Sequence, residues 1–96
     1  MTMRSRPDLI DALLALKTRA EGEAFLADVC TPGEVRALSE RWVVARLLDA
    51  GELSYREIAK EAECSTATVV RVARFLKEMP HKGYRRVLDR LQDTRA

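Results

Sequence analysis

Ser65, Thr66, Ala67 and Thr68 stand in a row, and Arg71 and Arg74 follow them at helical spacing. Small and short polar side chains at the start of a helix let its backbone come close to base edges in the wide groove of duplex DNA. Arginines further along such a helix neutralise phosphates and release counterions. Arg56, nine residues before Ser65 on a separate short element, adds a third guanidinium that could reach a guanine edge or a phosphate. The chemistry these residue types support is therefore recognition, not bond-making.

Two short helices must hold these groups. Residues 55–74 provide them, with about four residues, Ala62 to Ser65, between the two. Ala59 is the small residue such a crossing needs, and Ile58, Ala62, Val69 and Val72 supply apolar inner faces. Cys64 serves as the apolar residue of the turn. Glu63 stands where glycine is favoured, since that position calls for a left-handed backbone. The same pattern also describes a helical hairpin that contacts a protein partner, which makes a dimerisation or adaptor module the alternative reading.

Charge weighs between the two. Residues 1–64 hold nine Lys/Arg against twelve Asp/Glu, a net −3, whereas residues 65–96 hold eight against three, a net +5. Positive charge gathers where a nucleic-acid surface would form. With only two Phe and two Tyr, the chain has few rings for stacking on unpaired bases, which disfavours RNA. Paired carboxylates, a glycine-rich phosphate loop and an activated nucleophile are all missing from the sequence, so catalysis is not expected.

Other chemistry-bearing residues read more plainly. Cys30 and Cys64 match no metal spacing and suit small apolar side chains. His81, the sole histidine, reads as a solvated linker residue. Trp42 falls on an apolar stripe and reads as core. Arg85, Arg86 and Arg90 either track phosphates or line a solvated face. No apolar run approaches the ~20 residues a bilayer crossing needs. The N-terminus has no signal-peptide pattern, so a cytoplasmic, membrane-free protein is expected.

Helical spacing runs through the whole chain, which reads as one domain of 96 residues. Six helices are expected, at about 8–21, 23–29, 32–50, 54–61, 66–77 and 84–92, with a helix-turn-helix over 54–77. Pro7 precedes the first, which carries a wide stripe of Leu9, Leu13, Leu16 and Ala20 broadened by Ile10 and Leu14; Gly22 should stop or bend it. Thr31-Pro32-Gly33-Glu34 and Ser54-Tyr55-Arg56-Glu57 are capping boxes, and Ser65 caps the second helix of the motif. The third helix should turn Val35, Leu38, Trp42, Ala45 and Leu48 inward, and the last Val87, Leu88 and Leu91. Residues from Asp93 onward should fray.

Taken together, Thr31-Pro32, Leu38, Arg41, Leu47-Leu48, Gly51-Glu52, Ser54-Tyr55-Arg56-Glu57, Ala67-Thr68-Val69, Arg71, Leu76-Lys77 and Pro80 resemble the Trp repressor superfamily. Ser65 to Thr68 and the Gly83-Tyr84…Val87-Leu88-Asp89-Arg90-Leu91 ending resemble its YerC/YecD-like, TrpR-related branch more closely. The resemblance covers about residues 8–92. It implies an all-α, six-helix fold in an intertwined homodimer, with two helix-turn-helix heads that bind duplex DNA and regulate, most often repress, transcription.

It also implies residue roles. Arg56, Ser65, Thr66, Ala67, Thr68, Arg71 and Arg74 would contact DNA, some of them through water. Thr31, Arg41, Thr68 and Arg71 match positions that line the corepressor pocket, with the two arginines on either face of its indole. Two small positions of the family's recognition helix are Val72 and Phe75 here. Their bulk should fill the space an indole would take. No cofactor is expected, and tryptophan in particular is not; a different small-molecule effector, or none, stays open. Arg71 would then turn to a phosphate, and Arg41 to an acidic neighbour such as Glu40 or Glu34.

Overall fold

The computed structural model describes residues 8–95, so Pro7, the basic stretch before it and Ala96 lie outside the described residues. Six α-helices follow one another, and there is no strand among the described residues. The chain forms two compact units, the first ending at Val35 and the second starting at Arg36.

The first unit begins with α1 (Leu9–Ala15). Asp8 caps it by accepting from the Asp11 N–H at 2.9 Å, and Asp11 returns the bond to the Asp8 N–H at 2.9 Å. The helix stops at Leu16, whose backbone turns extended, well before the expected end at 21. The cause is Thr18, which accepts from the Glu21 N–H at 3.1 Å and starts α2 (Arg19–Val29). Thr18-Arg19-Ala20-Glu21 carries the same hydroxyl-to-carboxylate spacing as the other capping sites, with the Glu21 carboxylate reaching the Lys17 N–H at 2.9 Å. The chain therefore breaks at 16–18, and Gly22 lies inside α2. Neither helix contains a buried residue, and Leu9, Ile10 and Leu14 are 58%, 58% and 79% exposed.

Thr31 and Glu34 form the expected reciprocal cap, at 2.7 and 3.1 Å, ahead of α3 (Pro32–Ala50). Within the second unit, α3 buries Val44 and Ala45 completely. Its inward face is thus centred one residue from the expected stripe: Trp42 and Leu48 are half-buried beside it, and Leu38 is exposed. Gly51, at φ +72°, ends the helix in the left-handed region that glycine enters without a steric cost.

Next come α4 (Tyr55–Ala62), α5 (Thr66–Lys77) and α6 (Gly83–Arg95). Val44 and Ala45 of α3, Ile58 and Ala59 of α4, and Val69 and Val72 of α5 make one aliphatic core. Trp42, Leu47, Leu48, Ala62, Cys64 and Tyr84 pack around it. Of the apolar residues expected to point inward from the last helix, only Leu88 is buried; Val87 and Leu91 stay exposed. That helix also continues to Arg95, past the point where fraying is expected. Besides Leu88 and Tyr84, polar groups tie it to α3. Arg85 donates to the Asp49 carboxylate at 2.9 Å and pairs with Asp89 at 2.8 Å, while the Gln92 amide reaches Asp49 at 3.2 Å. No helix of the described residues is long and apolar enough to cross a membrane.

Candidate nucleic-acid interface

The geometry of the site begins at Ser54. Its hydroxyl accepts from the Glu57 N–H at 3.2 Å, and the Glu57 carboxylate accepts from the Ser54 N–H at 2.8 Å. This closed pair fixes the first turn of α4 and presents Arg56, exposed, within that turn. The Ser54 backbone and side chain hold the Glu57 carboxyl below its ordinary value of 4.5, since both stabilise its charged form.

The joint between the two helices is a Schellman turn. Glu63 sits at φ 56°, ψ 45°, in the left-handed region; its N–H donates to the Lys60 carbonyl at 3.2 Å, and the Cys64 N–H donates to the Ala59 carbonyl at 3.0 Å. A non-glycine residue here bears about 1–2 kcal/mol of backbone strain. The joint tolerates it because both carbonyl acceptors are satisfied. Cys64 is half-buried beneath the turn, and burial, followed by the nearby Glu40 charge, pushes its thiol above its ordinary value. It behaves as a small apolar side chain.

Ser65 then opens α5. Its hydroxyl accepts from the Thr68 N–H at 3.1 Å and lies 3.1 Å from the Thr68 hydroxyl. Thr68 is thereby half-buried and engaged with the cap, whereas Ser65, Thr66 and Ala67 are exposed. The first turn of α5 holds no acidic residue, so no carboxylate within it offsets the partial positive charge of its first N–H groups. Arg71 and Arg74 are both exposed further along the same helix, and Val69, Val72 and Ala73 are buried on its inner side. The seven residues singled out in the sequence therefore fall on two adjoining capped helices, six of them exposed and Thr68 partly withdrawn.

Arg71 has a neighbour that sequence reasoning missed. Its guanidinium carbon lies 4.6 Å from the centre of the Phe75 ring. The same ring stacks on His81, with centroids 6.2 Å apart and planes 15° from parallel. His81 thus belongs to a ring stack and is not merely a linker residue. The signal available was the four-residue spacing of Arg71 and Phe75, which places them one above the other on a helix. Arg85 was also misjudged: its bonds to Asp49 and Asp89 hold it still more firmly protonated and commit it to its own chain. Thr31 lies in the first unit, and Arg41 is half-buried on α3 without an ion pair to Glu40.

A capped helix, a left-handed joint and a second capped helix over a shared aliphatic core constitute a helix-turn-helix. Residues 6–92 match the family model described as Trp repressor protein, and the chain belongs to that family, whose fold is one of regulatory DNA-binding proteins. It is 38% identical over 86 residues to the uncharacterized protein YerC of Bacillus subtilis (strain 168), covering 90% of this chain and 81% of that one. Among solved structures it is similar to a TrpR like protein from Eubacterium eligens ATCC 27750, at 39% identity and a TM-score of 0.83, covering 93% of this chain and 90% of that one. A second solved chain, from Staphylococcus aureus, matches at 34% identity and a TM-score of 0.81, covering 96% and 95%.

Proposed function

We propose that this protein is a sequence-specific DNA-binding regulator of transcription, a repressor that occupies its operator as a homodimer in the cytoplasm. The observation that carries the reading is the exposed tip of α5: Ser65, Thr66 and Ala67 lead, no acidic residue stands in the first turn, and Arg71 and Arg74 follow. Such a tip fits the major groove, with Arg56 of α4 beside it and the arginines behind it against phosphates. Two-fold symmetry would then make the operator a palindrome.

A second copy of the chain accounts for the first unit. In α1 and α2 no residue is buried, although Leu9, Ile10, Leu14 and Val29 are large and apolar. A short chain gains by sharing such surface with a partner. The same surface favours the alternative, a helical adaptor that docks on another protein. Gel shifts on mixed-sequence duplex at low and high salt separate the two. Retention that falls steeply with salt supports the regulator, and no retention at any salt supports the adaptor.

The regulator does not respond to tryptophan in this reading. Val72 is 1% exposed within the core, and the Phe75 ring already lies beside Arg71, the arginine expected to face an indole. The bulk of Val72 and Phe75 beside Arg71 thus argues against an indole there. Titration calorimetry with L-tryptophan should give no heat of binding; micromolar affinity would overturn this part.

A further inference from the structure

We propose that Phe75 and His81 are positioning residues: together they form a ring platform that holds the Arg71 guanidinium ready for a duplex phosphate. The proposal rests on the reading of α4 and α5 as a DNA interface and adds to it two residues that do not themselves touch DNA.

Three observations carry it. Arg71 is exposed and makes no hydrogen bond or ion pair among the described residues, so its N–H donors are uncommitted. Its guanidinium nevertheless has a fixed neighbour, the Phe75 ring at 4.6 Å. That ring is itself restrained from two sides. It is half-buried on α5, and it stacks at 6.2 Å on His81, which belongs to the connection between α5 and α6. Centroid spacing and near-parallel planes are those of an offset aromatic stack.

The physical consequence concerns entropy. A long exposed arginine samples many rotamers, and a phosphate contact must freeze most of them. Attraction to a ring face narrows that sampling beforehand while the guanidinium edge keeps its donors outward. Arg71 then binds a phosphate with less ordering left to do. His81 contributes one step removed, by restraining the ring from the connecting segment.

The test is a double-mutant cycle, read as affinity for a fluorescein-labelled mixed-sequence duplex at low salt, with thermal melts to confirm folding. Phe75→Leu should weaken binding about two- to fivefold, the size expected of an exposed cation–ring contact. Phe75→Tyr, which keeps the ring face, should restore wild-type affinity. His81→Ala should give a smaller loss of the same sign, and it stands in for Phe75→Leu if that variant fails to fold. On an Arg71→Ala background neither substitution should cost anything further. Equal losses with and without Arg71, or no rescue by tyrosine, would overturn the platform while leaving the DNA interface intact. If the wild-type protein shows no salt-dependent retention of duplex, the interface reading fails and the platform falls with it.

Discussion

The Asp49 carboxylate near the end of α3 and the Arg85 guanidinium near the start of α6 meet at 2.9 Å, with the Asp49 side chain only 15% exposed. This contact holds the last helix to the second unit where few apolar side chains do so. Asp49 also accepts from Gln92, so one carboxylate anchors the helix at two points about two turns apart. Removing it should detach α6 before it disturbs the core.

Asp49→Ala should therefore lower stability by about 1–2 kcal/mol, between the range of an exposed ion pair and that of a charge-assisted hydrogen bond. Arg85→Ala should cost less, because its guanidinium is the more exposed partner. In urea denaturation the double variant should be less destabilised than the two single losses added. Strict additivity would show that the pair contributes nothing as a pair.

The acid limb of stability should carry the mark of Glu57. Its folded pKa is depressed by the Ser54 bonds, so its contribution is fully present above the ordinary value of 4.5. It is lost as pH falls through the lower folded value, when the protonated carboxyl can no longer accept as strongly from the Ser54 N–H. Glu57→Gln should flatten the loss of stability below pH 4.5. Ser54→Ala, at neutral pH, should cost about 1 kcal/mol through the lost cap. Thermal melts between acid and neutral pH measure both.

Glu63 offers a change in the opposite direction. Glycine relieves about 1–2 kcal/mol of left-handed strain and returns about 0.5–1 kcal/mol as unfolded-state entropy. Glu63→Gly should leave stability unchanged or raise it by up to about 1.5 kcal/mol. Glu63→Val should lower it, since a branched Cβ fits that backbone worse. A stabilised valine variant would mean that the joint is not left-handed in solution.

DNA affinity should separate two kinds of residue. Arg74→Ala should weaken binding to all duplexes alike and reduce the slope of log affinity against log salt by about 0.9 per protomer, about 1.8 for the dimer. Thr66→Ala or Arg56→Ala should instead change which sequences are retained from a random library, at about 1–3 kcal/mol per base position. Uniform losses for all three variants would contradict base reading by Thr66 and Arg56.

Much of this molecule was legible because its helix starts are local. The caps at Thr31, Ser54 and Ser65 each rest on a hydroxyl and an N–H three residues away, and nothing distant alters them. The left-handed turn at Glu63 was readable for the same reason. Thr18 obeyed the same rule and was overlooked because Gly22, a stronger breaker by type, lay close by. Yet a glycine with open space around it is tolerated in a helix at modest cost. What periodicity could not fix was rotation. A stripe on α3 could centre on Ala45 or on Val44 until α4 and α5 packed against it, and on α6 only Leu88 of the expected inward set is buried, with Arg85 drawn to Asp49. The ring stack needed a loop residue, His81, to return to α5, which spacing alone does not report.

The bond between the Ser65 and Thr68 hydroxyls has a further consequence for what α5 could read. With Thr68 turned toward its own cap, the leading turn offers mainly the methyl of Ala67 and the methyl and hydroxyl of Thr66. A tip so poor in side-chain donors would distinguish base pairs less by their hydrogen-bonding edges than by the 5-methyl group of thymine. Replacing thymine by uracil at those steps of an operator is the atomic change such a surface would register most.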